Sequence, residues 1–221
     1  MDVMPQLRDA TQDIHRRLED LPLAQALAQG RIGLRAYAGL LRQLVHLHDS
    51  AEAVLDRHPE LGVYRPAMAR RAVLLRDLQA LGCDPAAPAL PAVRAFAARL
   101  EAWSSTTPVA LLGCLYVLEG SRLGSLHLVQ PLAAALGVAP TPGAGLDYHL
   151  DGRQQRPQLW LQFKLAMNAA VSDPAQQAVV VDAALATFGA LYDLYAALPP
   201  QPPAAPQFAE AARSLTAALP V

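Results

Sequence analysis

Residues 111–128, LLGCLYVLEGSRLGSLHL, decide how this chain reads. The stretch begins as an unbroken apolar helical run, and then Gly120, Ser121, Gly124 and Ser125 replace larger side chains. Glycine costs a helix interior about 1 kcal/mol relative to alanine, so a segment that could have been Leu and Ala carries a local penalty that something must offset. Gly and Ser pairs are where long helices kink, and missing side chains let a backbone come close to whatever lies over it. A neighbouring helix could pack there, or a flat ligand. The segment alone leaves both open.

The same helix is expected to continue to Leu136, bent or broken at Pro131, with Ser104 to Thr107 and Pro108 supplying capping residues before it. Upstream, apolar residues at helical spacing (Leu7, Ala10, Ile14, Leu18) predict an amphipathic helix over 4–18. A short apolar segment, 21–28, precedes a turn at Gly30 and Gly33, and a long helix follows over 34–55, ended by His58-Pro59. Pro66 suits the first turn of a helix running to Leu81 with Gly82 as its stop. CDPAAPALP reads as a loop and 93–103 as another helix. Beyond the central helix, 137–156 is rich in Gly, Pro and Asp and reads as the longest irregular connection, followed by helices over 158–171 and 174–197. PPQPPAAPQ from Pro199 predicts a stiff extended linker, and 208–219 a terminal helix. No segment has strand character and no repeat recurs. The expected class is all-α, a single-domain multi-helix bundle of seven to nine helices over 1–198, with a Pro-rich linker and short C-terminal helix over 199–221.

Composition limits the function. With 221 residues, 53% apolar and 17% charged, the chain can bury one substantial core. A net charge of −1 with no long run of one sign argues against nucleic acid or an anionic membrane surface as partner. Cys83 and Cys114 have no metal-site spacing and no disulfide framework, which fits a reducing cytoplasm. The polar N-terminus is unlike a signal peptide, and Glu119, Asp182 and Asp193 interrupt the best candidates for a membrane span.

His15 with Glu19 is the second feature that bears chemistry. A metal-ligating imidazole needs its other nitrogen held by an acceptor, and an acidic residue at i+4 on the same helix can supply it. The spacing is weakly diagnostic, because His48 and Glu52 repeat it. His46, His48 and Asp49 are expected on a solvated or partly buried face, His58 exposed, and His149 in a loop. His127, three residues after Gly124, lies roughly on the same face. Tyr37, Tyr116, Tyr192 and Tyr195 occupy core-like positions where a hydroxyl reaches a partner. Phosphate loops, Ser-His-Asp signatures and Cys-x-x-Cys pairs are missing from the sequence.

LRDATQDIHRRLE near the start and YVLEGSRLGS about a hundred residues later resemble the two signatures of haem oxygenases, most closely the bacterial biliverdin-producing branch that often accompanies bacteriophytochromes. GLRAYAGLLRQL, RRAVLLRDLQALG and AALATFGALYDL resemble that family in order and spacing, so the likeness covers roughly residues 5 to 197. It implies that His15 is the proximal iron ligand, that Glu19 bonds its far ring nitrogen, and that Gly120, Ser121 and Gly124 form the distal side where dioxygen is activated. Haem would then be cofactor and substrate at once, opened to biliverdin, CO and ferrous iron with O₂. Electrons would come from a separate reductase or ferredoxin, since the chain carries no flavin or nicotinamide motif, and a bacteriophytochrome is a possible biliverdin acceptor. Arg16, Arg17 and Lys164, the sole lysine, are candidates to anchor the propionates. The chain departs from the family pattern at Ser125, where many members have a second glycine, and at Arg122, where the bacterial branch usually has a small Thr. An inward Arg122 would fill the distal pocket or pair with a propionate, and a His127 that reached the iron would exclude O₂. These substitutions motivate a rival, a haem carrier that does not cleave its ligand. A second rival, a non-haem member of the wider superfamily, needs carboxylates and histidines gathered from several helices.

Overall fold

The structure, a computed structural model, describes residues 2–201; the terminal helix expected over 208–219 lies outside them. Ten helices follow one another with no strand among the described residues: α1 (Val3–Glu19), α2 (Pro22–Ala28), α3 (Leu34–Asp56), α4 (Arg71–Ala80), α5 (Pro91–Thr106), α6 (Leu111–Gly124), α7 (Val129–Leu136), α8 (Asp147–Leu150), α9 (Arg156–Ala170) and α10 (Pro174–Ala197). The all-α class holds, and the periodic segments became the long helices because each has an apolar stripe to bury.

α10 is the spine. It packs along both α1 and α6, while α3 carries α4 and α5 on its outer side. α6 and α10 approach closely because Gly113 has no side chain: a Cβ there would lie 2.7 Å from the Ala184 amide nitrogen and 2.8 Å from the Ala183 methyl, and would strike the Val180 carbonyl. Segments 108–136 and 174–197 are long and apolar enough to cross a membrane by length and composition. In the fold they pack against each other, and their apolar faces form much of the core.

Several boundaries differ from expectation for local reasons. Pro66 to Met68 forms one 3-10 turn, Ala69 is extended, and α4 begins only at Arg71. Its start is fixed by Glu52 of α3, whose Oε1 accepts from the Arg70 and Arg71 amides at 2.6 and 3.0 Å. Ser104 to Thr106 do not cap the central helix. They continue α5, and the Ser105 and Thr106 hydroxyls donate back to the Glu101 and Ala102 carbonyls. The break before Pro131 comes earlier than expected, as a 3-10 turn over Ser125–Leu128. Proline excludes the carbonyl four residues upstream from its ring, here that of His127, so the helix tightens before Pro131 and the proline itself falls in the first turn of α7. The connection after α7 is not wholly irregular, because it folds the one-turn helix α8, which packs on α4 and on the 125–128 turn.

Candidate functional site

α1 does not bury its whole apolar stripe. Val3, Met4, Leu7 and Thr11 are buried, but Ile14 and Leu18 are only half-buried and His15 is exposed, because the C-terminal half of α1 faces a cleft instead of a helix. α6 stands on the other side. A Cβ at Gly124 would find no atom within 4 Å, and one at Gly120 only Trp160, at 3.9 Å. Among the described residues no backbone approaches either glycine; only the Trp160 ring of α9 borders Gly120.

The cleft has two lobes that meet at His15, Gly120 and Ser121. The larger, about 440 Å³, has a leucine wall (Leu40, Leu41, Leu44, Leu191) and reaches Gly124, Ser125, His127, Tyr148 and His149. The smaller, about 380 Å³, carries Arg8, Gln12, Arg16, Tyr116 and Trp160. The larger lobe thus sets a leucine wall against acidic, serine and histidine side chains, and the smaller sets two arginines beside Trp160 and Phe188.

His15 Nδ1 lies 3.5 Å from Glu19 Oε2, an i,i+4 contact that orients the ring, and its side chain is 51% exposed. Phe188 of α10 meets the same ring edge-on at 5.6 Å, limiting its rotation. Nδ1 thus has an acceptor beside it and Nε2 is left for a ligand in the cleft. His127 Nδ1 bonds the Gly124 carbonyl one turn back, which ties the ring to its own segment.

Of the sequence-derived site residues, His15, Glu19, Arg16, Gly120, Ser121, Gly124 and Ser125 line the cleft. Arg16 pairs with Asp13, and the Ser125 hydroxyl donates to the Arg122 carbonyl at 3.1 Å. Arg122 and Lys164 line neither lobe, against expectation. Arg122 is buried toward the α8–α9 connection, with Nη1 3.4 Å from Glu119 Oε2 and Nη2 donating to the Asp151 carbonyl at 3.3 Å. The peptide it meets is turned toward it at Gly152, whose φ of +69° is left-handed. Lys164 is half-buried on α9. The cationic side chains at the cleft are Arg8 and Arg16, and Arg8 was missed because an exposed arginine on an amphipathic helix carries no signal by itself.

Behind α6 lies a buried polar cluster. His48, expected on a solvated or partly buried face, is buried: Nε2 bonds the Tyr148 hydroxyl at 3.1 Å and Nδ1 lies 3.3 Å from Glu52 Oε1. Burial pushes the Glu52 carboxyl up, but the hydrogen bonds from His48 and from the Arg70 and Arg71 amides outweigh it and hold the pKa below the usual value. His58 is only partly exposed, bonded to Ser104 and Glu60. Tyr37 is fully buried and its hydroxyl has no partner, unlike the expectation for a core tyrosine. The expected loop histidine, His149, is also buried, on α8. Among the described residues no group of three or more His, Cys, Asp or Glu side chains is placed to hold a metal ion.

The family model described as heme oxygenase matches residues 1–197. Heme oxygenase 1 of Rattus norvegicus is 23% identical over 197 residues, 85% of this chain and 68% of the relative, so the chain spans about two thirds of that protein's length. The fold superposes on the heme oxygenase of Leptospira interrogans with a TM-score of 0.79 at 20% identity, covering 89% of this chain and 99% of that one. Heme oxygenase-1 of the cyanobacterium Synechocystis, solved in complex with heme, gives a TM-score of 0.78 at 20% identity, covering 88% and 91%.

Proposed function

Because the chain belongs to the heme oxygenase family, we propose that the cleft between α1 and α6 binds haem and that the protein cleaves it to biliverdin, CO and ferrous iron. The observation that carries this is the pairing of a half-exposed, oriented histidine on one wall with two glycines on the other that no backbone covers, Gly124 facing open space and Gly120 bordered only by the Trp160 ring. A flat ligand needs that arrangement, and a helix–helix contact would have filled it.

Haem supplies the iron that activates O₂, and its own ring is the group oxidised. The chain's part is to hold and orient it. His15 would ligate through Nε2, with Glu19 beside the opposite nitrogen to fix the tautomer and keep the imidazole basic. Gly120 and Gly124 would let the α6 backbone stand close to the bound macrocycle. The leucine wall excludes water from one edge of the macrocycle. Arg8 and Arg16 at the other edge meet the propionates. Their present pairs with Asp9 and Asp13 are exposed and so contribute little, which makes the exchange inexpensive.

Electrons come from an external reductase or ferredoxin, the setting is a reducing cytoplasm, and a bacteriophytochrome is one acceptor for the product. Of the two substitutions that favour a carrier that does not cleave haem, Arg122 turns its side chain away from the cleft, whereas Ser125 lines it.

The test is an absorption titration with hemin, followed by ascorbate or a ferredoxin–reductase pair in air. A Soret shift, then loss of the Soret band with growth of a broad red band, is the expected result, and His15→Ala should abolish it. A Soret band that survives reduction makes the protein a carrier. No saturable shift sinks the haem reading.

A further inference from the structure

His149 has no task in the function just proposed, yet it is an expensive residue to keep. It is 5% exposed, and neither ring nitrogen has a hydrogen-bond partner among the described residues. An unpartnered buried polar group costs about 1 to 3 kcal/mol. Leu or Phe would fill the same space beside Leu40, Leu41 and Leu44 without that penalty.

His149 lines the larger lobe of the cleft, its two ring nitrogens just beneath the surface, and α8 packs against the 125–128 turn that follows α6. Its backbone is fixed, since the Arg156 guanidinium donates to its carbonyl at 2.6 Å. The ring is also kept neutral. Burial first, then the charge of Arg156 and the proximity of His127, lower its pKa to about 3. A neutral imidazole offers one N–H and one lone pair, on different edges of the ring. Two tyrosine rings flank it. Tyr148 meets it edge-on at 5.3 Å with its hydroxyl already engaged by His48. Tyr37 lies at 6.1 Å, and its own buried hydroxyl lacks a partner too. A hydroxyl donor on the Tyr37 side, reaching through one bridging water, suits the lone-pair nitrogen and leaves the N–H for the cleft.

We propose that His149 is a neutral hydrogen-bond donor into the cleft, for a small acceptor such as a water oxygen or a compact anion held on the α6 face of the bound macrocycle. The role rests on the haem reading above. It makes His149 a positioning residue for what lies opposite His15, and neutrality means that it does so at every working pH.

The experiment uses hemin-loaded protein and two probe ligands. Fluoride on the ferric complex needs a hydrogen-bond donor, whereas carbon monoxide on the ferrous complex needs little. His149→Phe should weaken fluoride binding about tenfold, as expected for one lost hydrogen bond to an anion, and leave carbon monoxide affinity within about twofold. His149→Gln, which restores a donor, should recover much of the loss. In ligand-free protein, His149→Phe should hold or raise Tm, because an apolar ring removes an unsatisfied group. Unchanged fluoride affinity, equal loss of both ligands, or a fall in ligand-free Tm would overturn the assignment. Failure of the wild-type protein to take up hemin would instead overturn the functional reading beneath it.

Discussion

The two ends of α6 use glycine for opposite purposes. At Gly113 the missing side chain admits another helix, and the Val180–Ala184 segment of α10 occupies the space that a Cβ would need. At Gly120 and Gly124, two and three turns on, no backbone closes in: among the described residues a Cβ would meet only the edge of Trp160 at Gly120, at 3.9 Å, and nothing within 4 Å at Gly124. One end is sealed by close fit. The other is kept open, and the elements around it are held by polar struts: Glu52 on the start of α4, Arg156 on the His149 and Asp151 carbonyls, and Asp77 on the start of α8. A helix with the same residue at both ends thus separates folding from binding along its length.

Gly113→Val breaks the sealed end and has the largest expected effect. The new side chain meets backbone atoms, which cannot rotate away, so α6 and α10 must separate. We expect a loss of roughly 3 kcal/mol or more, seen in a thermal melt as a drop of about 10 °C. A melt within about 2 °C of the wild type would show that the helices are not locked there.

Asp77 tests the open end. Its two carboxylate oxygens accept from the Asp147 and Tyr148 amides, each at 2.8 Å, and so fix the one-turn helix that carries Tyr148 and His149. Burial raises its pKa from 3.8 to about 6 despite those two bonds. The folded state therefore binds a proton more readily than the unfolded chain between those pH values. Stability from this group is fully present below pH 3.8 and is lost as pH rises through about 6. Asp77→Asn, a neutral mimic of the protonated carboxyl, should remove that slope, so denaturant melts of the two proteins should lie closest at pH 4 and wild type should lose stability relative to the variant as pH rises to 7. Parallel profiles would mean that the carboxyl does not titrate in this window. Asp77→Ala, which leaves both amides without an acceptor, should cost about 1 to 3 kcal/mol.

The sealed core was far more legible in the sequence than the open end. Apolar periodicity marked α1 and α3, because burial against a neighbour on one side produces the period, while α6 was legible as an unbroken apolar run and α10 by the proline that starts it. His15, Glu19, Gly120 and Gly124 could be singled out because each stands against the local pattern. Gly113 could not, since inside an apolar run its close contact depends on α10, some seventy residues away. α8 has four residues, too few for a period, and is nucleated by Asp77 from a distant helix. The direction of Arg122 was illegible for a similar reason, because Gly152 turns the accepting peptide toward it only after the α8–α9 connection has folded. The spacing of Leu146 and Leu150 around His149 was the one available hint that a histidine in a Gly/Pro-rich stretch points inward.

The smallest stability effect separates the two uses of glycine most sharply. Gly124 has an ordinary helical φ of −74° and open space where a Cβ would stand. Alanine there incurs no clash and removes the backbone-entropy cost of glycine, so Gly124→Ala should stabilise the ligand-free protein by about 0.5 to 1 kcal/mol. The same methyl projects toward the space assigned to the macrocycle. Hemin affinity should therefore fall while Tm rises, and Gly124→Leu should extend the loss of affinity. An affinity that tracks stability upward would mean that α6 stands farther from the ligand than its bare glycines imply. A rise in Tm with a fall in affinity would show that the chain keeps Gly124 at the expense of its own stability, for the sake of what it binds.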